Sequence, residues 1–449
     1  SFIRDANAIF ITLDHEIPVG QIDRITLIYH GEPIEAKRAP WDGGFTRTTD
    51  ALGKPWMAVS CQGIGASLWW PCKDHLSDEP DSMDMHFTVP VAQTCISNGQ
   101  ERGITEGEDG YHTFHWHVSY PINNYNVTFN IGQYVHWHDV YTAQDGDTLS
   151  LDYYVKPENL EKSKKQFRQV KPMLSCYERY LGKYPFWKDG FALVETPYLG
   201  MEHQGAIAYG NKYMPGYMGW DRSGANLQFD YIIIHETGHE WWGNSVSCSD
   251  LADMWIHEGF CTYTEAIYVE CMHGEKAAQG YVNALKQDVA NRQPIIGTYG
   301  INREGHSDMY VKGMLFLNSL RHTIDDDALW WSTIKYVSDT AFKITSVDYE
   351  QLVQVFEKKS GQTLRPIFEQ FVKYAALPVL EYELCGRKKD KIKYHWKSPV
   401  RGFNMPAILI TNRGRKRIYP TTEWQEFNLE SEIFQGWDDQ AFYFLQKQK

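Results

Sequence analysis

Between Leu227 and Trp241 the 449-residue chain is apolar almost all the way round a helix, yet it carries His235-Glu236-Thr237-Gly238-His239 in that stretch. Leu227, Tyr231, Ile234 and Trp241 recur at helical intervals, and Phe229, Ile232 and Ile233 cover the remaining faces. A helix apolar on every side belongs in the core. Two histidines and a glutamate buried there are costly unless they are paired or bound to a metal ion. Residues four apart share a helix face, so His235 and His239 can offer both imidazoles to one ion. Glu236 stands one step round, where it reaches water on that ion more readily than the ion itself. The competing reading is two core histidines satisfied by backbone carbonyls.

What favours metal is the segment that follows. After Gly243-Asn244 a turn-rich stretch leads to a second helical pattern through Phe260, Tyr263, Ile267 and Val269, with Glu258 at its start. A carboxylate there can return as a third ligand, which leaves the fourth position of a tetrahedral zinc for water. Three protein ligands and an open position describe a hydrolytic centre rather than a closed structural one. Standing alone, Glu258 would read as a helix-start carboxylate favoured by the macrodipole.

Composition sets broader limits. A chain with 43% apolar and 14% aromatic residues has ample material for large cores. A net charge of −13 and a pI near 5.7 argue against nucleic acid and anionic membrane as partners. No apolar run reaches the ~18 residues of a membrane span. The eight cysteines form no Cys-x-x-Cys pair and none stands beside a recognisable base, so neither a disulfide mini-protein nor cysteine catalysis is indicated. The chain starts at Ser1 with no initiator methionine or signal peptide, which suits processing and favours export, periplasmic or extracellular, over the cytoplasm. A monomer is the default expectation.

The texture changes twice, giving a multidomain α+β reading. Residues 1–138 read as a β-domain, with strands at Ala8 to Leu13, Ile22 to Tyr29, Met85 to Val89, His112 to Val118 and Asn126 to Val135. Residues 139–377 are mostly helical after strands at Leu149 to Val155 and Gly190 to Glu195. Leu160 through Leu181 keep an apolar stripe there, and Thr345 with Asp348 reads as a capping box. Residues 378–449 return to strands (Val379 to Leu384, Lys391 to Trp396, Ala407 to Thr411, Arg417 to Tyr419, Gln440 to Leu445) and read as a small terminal β-domain. The basic runs at 387–391 and 413–417 read as solvated tips.

His-Glu-x-x-His followed by Trp241-Trp242-Gly243-Asn244 and by Glu258-Gly259-Phe260 resembles the gluzincin zinc aminopeptidases, the family of aminopeptidase N and leukotriene hydrolase, in a short bacterial-type form. Three other segments agree in order. Gly200-Met201-Glu202-His203-Gln204 is similar to the family's exopeptidase loop, Tyr310-Val311-Lys312-Gly313 to its tyrosine motif, and Gln62 with its flanks to its amino-terminal substrate segment. The resemblance spans about Ala58 to Ala376. It implies a thermolysin-like catalytic domain for residues 139–377, one zinc ion per chain on His235, His239 and Glu258, and peptide substrates with a free amino terminus.

The resemblance also implies roles. Glu236 is the general base, and Tyr310 donates to the oxyanion opposite the metal. Glu202 binds the free amine, Gly200 and Met201 line the substrate strand, and Gln62 adds a polar contact to the amine or first side chain. A free peptide amine is largely cationic at neutral pH, so a fixed Glu202 separates exopeptidase from endopeptidase. Endopeptidase, epoxide hydrolase of the leukotriene type and inactive zinc scaffold are the alternatives. The chain departs from the pattern at His203 and His257, where asparagine is usual. Each reads as a plain hydrogen-bonding substitution or as an imidazole that shapes the pH profile. Most tryptophans are expected in the core and a few, especially near Trp69, in the cleft; the family's large helical carboxy-terminal domain is not recognisable.

Overall fold

The computed structural model describes residues 1–448. Two compact units divide between Pro33 and Ile34. In the first, Phe2–Asp5 and Ala8–Ile11 form a two-stranded antiparallel hairpin. The strand expected at Ile22 to Tyr29 does not form, despite clear alternation, and Ile22 and Ile28 are almost fully exposed. Alternation describes a strand that has found a neighbour and a core. Within this unit the hairpin pairs only with itself.

The second unit begins with two antiparallel sheets. One contains Gly44–Thr49, Pro55–Ser60, Phe129–Gly132 and Thr94–Ser97; the other contains Met83–Pro90, Tyr111–Val118 and Gln100–Glu106. Along Tyr111–Val118 the inward residues are Phe114, Trp116 and Val118, which bury against Phe45, Met85 and Phe129. Period two is what a half-solvated sheet requires. The single strand expected from Asn126 to Val135 is two, Phe129–Gly132 and Val135–Thr142, and they belong to different sheets.

Val135–Thr142 opens a five-stranded sheet that continues through Thr148–Val155, Phe191–Glu195, Ile207–Tyr209 and Gly200–Met201. Gly200–Met201 is its edge. Helices pack beneath: Leu160–Gln166, Val170–Leu181, Tyr231–Gly238, and Met254–His273, in which every residue from Met254 to Val269 is buried. A disulfide, Cys176–Cys271, ties the second of these to the last across a Cα separation of 6.1 Å. Ninety-five residues separate the two cysteines, so spacing gave no sign of the pair. The capping box near residue 348 is Asp348 with Gln351, not Thr345 with Asp348; Thr345 pairs instead as a short strand with Val246.

After residue 378 a four-stranded and a three-stranded sheet follow. Two terminal strands are displaced from their expected spans, to Gly414–Ile418 and Phe444–Lys447. Arg417, read as solvated, is half-buried, and its guanidinium donates to the His322 and Thr323 carbonyls at the end of the helix Val311–Ile324. Those carbonyls lack partners inside the helix, and a cation there also meets the negative end of its dipole. No helix among the described residues is long and apolar enough to cross a membrane.

Candidate metal centre

The short helix Tyr231–Gly238 is launched by Asp230, whose side chain accepts from the Ile232 and Ile233 amides. Such a cap contributes about 1 kcal/mol, and Asp230 is itself fixed by Tyr209, Asn211 and Gln166. His235 Nδ1 donates to Glu265 Oε1 at 2.8 Å, and His239 Nδ1 donates to the Trp242 carbonyl at 2.9 Å. These bonds hold both rings in the tautomer that leaves Nε2 free as a donor atom toward a metal.

Both Nε2 atoms face Glu258 Oε2, at 3.6 Å from His235 and 3.4 Å from His239. Oε2 is buried and has no hydrogen-bond partner, whereas Oε1 accepts from Tyr310 at 2.9 Å and from Gln62 at 3.2 Å. A tetrahedral zinc with bonds of ~2.0–2.1 Å sets its ligand atoms about 3.3 Å apart. The residues therefore fit zinc in number, type and spacing. Cys261 Sγ also lies within 4.8 Å of ring nitrogens of both histidines, but it turns onto the His235 carbonyl at 2.7 Å. Of the two, the bare carboxylate oxygen is the one left without a partner and so the better-suited third donor.

Backbone proximity creates this convergence. A Cβ on Gly238 would stand 2.4 Å from Thr264 Oγ1, so the short helix and Met254–His273 approach only because that position is glycine. Gly259 and Gly313 face each other likewise, and a Cβ on Gly313 would stand 2.6 Å from the Gly259 Cα. That crossing sets Tyr310, at the start of Val311–Ile324, beside Glu258. Lys312 is buried and donates to the Tyr374 and Ala375 carbonyls at 2.9 and 2.8 Å. The four residues from Tyr310 to Gly313 thus supply a hydroxyl, an anchor and a gap.

Glu236 points the other way, over the edge strand. A Cβ on Gly200 would stand 2.7 Å from Glu236 Oε1. Burial pushes the Glu236 carboxyl up to about 7, against both imidazoles and helped by Glu202 and Glu258. Glu202 is 3% exposed; Tyr125 donates to it at 3.1 Å, and a carboxylate oxygen each from Glu202 and Glu236 lies within 4.8 Å of a His239 ring nitrogen and of the other. Burial and the charge of Glu258 raise the Glu202 carboxyl, with His239 opposing. Asn244 holds the loop by donating to the Glu202 carbonyl at 2.8 Å. Tyr310 titrates far above the ordinary phenol range, first through burial and then through Glu258, and so stays a donor.

All nine residues singled out from the sequence line or adjoin one cleft of about 330 Å³. Gln62 lines the cleft and donates to Glu258 and, at 3.0 Å, to the Tyr310 hydroxyl. Trp69 is not in the cleft; it packs on Phe45 and Phe129, and Trp41 lines the cleft instead. Tyr125, Glu265 and Glu304 were missed. Glu265 had a legible signal, since it follows Glu258 by seven residues and so shares its helix face. Tyr125 comes from a distant segment, and Glu304 from the loop before Tyr310, where no periodicity marks it.

His203 and His257 do not titrate near neutrality, because burial drives both imidazoles down to about 3. His257 Nε2 accepts from the Cys248 amide at 2.7 Å, whereas both His203 nitrogens lack a partner. A pKa lowered in the folded state contributes stability above the unfolded value of 6.5 that is lost as pH falls toward 3. His203→Asn is expected to remove that loss, making the variant's urea midpoint less acid-sensitive by an amount worth roughly 2–3 kcal/mol at pH 4.5. Superimposable pH profiles for the two proteins would contradict it.

Residues 165–371 match the Peptidase family M1 domain. The chain is 23% identical over 402 residues to endoplasmic reticulum aminopeptidase 1 of Rattus norvegicus, covering 82% of this chain and 40% of that protein. It is 25% identical over 329 residues to aminopeptidase N of Streptomyces lividans, covering 68% and 37%. It therefore spans well under half the length of these relatives. Its fold resembles the M1 zinc metallopeptidase of Deinococcus radiodurans, solved as a point mutant bound to a Tyr-Ser-Ala substrate, with a TM-score of 0.62, 20% identity, and 77% and 75% of the two chains covered.

Proposed function

The chain carries a peptidase family M1 domain, and on that premise we propose that it is a zinc aminopeptidase removing the first residue of peptides with a free amino terminus. One zinc ion per chain is held by His235, His239 and Glu258. Bound there, zinc polarises the scissile carbonyl and lowers the pKa of the attacking water.

The chain's own groups do the rest. Glu236, raised toward neutrality, takes a proton from the attacking water and returns it to the leaving nitrogen. Tyr310, kept protonated, donates to the developing oxyanion. Gln62 fixes both Glu258 and the Tyr310 hydroxyl. Gly200 and Met201, on a sheet edge with unpaired backbone groups, take the peptide as an added strand.

Glu202 carries the exopeptidase reading. A carboxylate this buried, with one phenol as its side-chain partner, keeps its charge cheaply only when a cation joins it. The amino end of a peptide is that cation. The expected result is that aminoacyl fluorogenic amides are cleaved, that the same amides with acetylated amino ends are cleaved at least ~100-fold more slowly, and that a chelator abolishes both reactions. Equal rates on free and blocked amides would sink the exopeptidase reading. The Cys176–Cys271 disulfide supports an oxidising compartment, hence export.

A further inference from the structure

The same cleft contains one carboxylate that none of these steps uses. Glu304, on the segment leading into Tyr310, lines the cavity together with Pro40, Trp41, Ser307 and Met309. No lysine or arginine lines the cavity among the described residues. The neighbouring His306 turns to Asp308, its Nδ1 accepting from the Asp308 amide at 3.1 Å, rather than meeting Glu304. Arg303 is exposed and is not part of the cavity wall.

We propose that Glu304 selects a cationic first side chain, so that the preferred substrates are peptides beginning with lysine or arginine. The inference rests on the aminopeptidase reading and names its substrate class.

Two observations support it. First, with the amine at Glu202 and the scissile carbonyl between the metal donors and Tyr310, the first side chain must leave toward wall that neither group occupies. Glu304, Trp41 and Met309 are among the cleft-lining residues that neither position uses. Second, Glu304 is exposed to solvent, and partial desolvation and then Glu258 raise its carboxyl above its ordinary range, with no hydrogen bond or ion pair offsetting them. A cation is the partner that relieves this state. Trp41 adds an aromatic surface on which a guanidinium or an ammonium stem can lie.

The test uses the zinc-loaded protein and a panel of aminoacyl coumarin amides carrying Arg, Lys, Leu or Glu. The leaving group has no side chain, so any charge preference arises at the first residue. The parent is expected to favour Arg and Lys over Leu in kcat/KM by about tenfold or more, with Glu poorest. Glu304→Gln should lower Arg and Lys by roughly ten- to a hundredfold and leave Leu within about threefold. Glu304→Lys should invert the order of Arg and Glu. An Arg-to-Leu ratio that is the same in the parent and Glu304→Gln overturns the assignment of Glu304 while leaving the aminopeptidase reading intact. Failure to cleave any member of the panel overturns both.

Discussion

Glu236→Gln is expected to lower kcat by about 10³-fold or more while zinc content stays near one per chain. The two properties separate because Glu236 is not part of the converging donor set. Its carboxylate lies over Gly200, and the three donor atoms face one another elsewhere. Glutamine keeps the shape and removes only the ability to take a proton. It also removes one of three carboxylates that repel one another in a buried cluster, so the metal-free variant should unfold no more easily than the parent at pH 8. Metal analysis, steady-state kinetics and urea unfolding on one preparation check all three. Turnover near the parental rate would mean that the base is another group.

Tyr310→Phe is the second large effect. Loss of an oxyanion donor costs on the order of 10²–10³ in kcat, with little change in KM. Tyr310 has a second job, since its hydroxyl donates to Glu258 Oε1 at 2.9 Å. Losing a bond that orients a metal ligand weakens metal affinity by about 10–100-fold. Saturating zinc distinguishes the two roles. It should restore metal occupancy in Tyr310→Phe without restoring kcat. Recovery of kcat on adding zinc would reduce Tyr310 to a positioning residue.

Much of this centre was legible because its chemistry is local in sequence. His235 and His239 share a face by helical geometry, and Glu258 begins the next helix. What stayed illegible came from segments joined only by the fold. Tyr125 reaches Glu202 from 77 residues earlier and Glu304 reaches the cleft from the loop before Tyr310, and no periodicity announces either. Trp69 and Trp41 show the same limit from the other direction. Both are large aromatics near Gln62 in sequence, yet one is consumed by the core of the first sheets and the other is left for the cleft. In the fold, the expected strands at Met85 to Val89 and His112 to Val118 form and pair with each other, whereas alternation at Ile22 to Ile28 found no neighbour. At His203 and His257 burial forbids titration near neutrality, and the hydrogen-bonding substitution preferred there holds for His257, which accepts from the Cys248 amide, but not for His203, whose nitrogens have no partner.

The contact between Gly259 and Gly313 has a consequence for how such a chain can change over time. Most helix pairs meet through side chains, and a substitution on one helix can be absorbed by repacking on the other. Here backbone meets backbone, so there is no compressible layer between the ligand carboxylate and the phenol. A side chain added at Gly313 must push the facing backbone away, one at Gly259 needs it to give by a few tenths of an ångström, and displacements of about 1 Å at a reacting geometry can cost 100-fold in rate. The hydrophobic faces around this contact are free to drift in sequence. The distance between Glu258 and Tyr310 is not, because two absent methyl groups serve as its ruler.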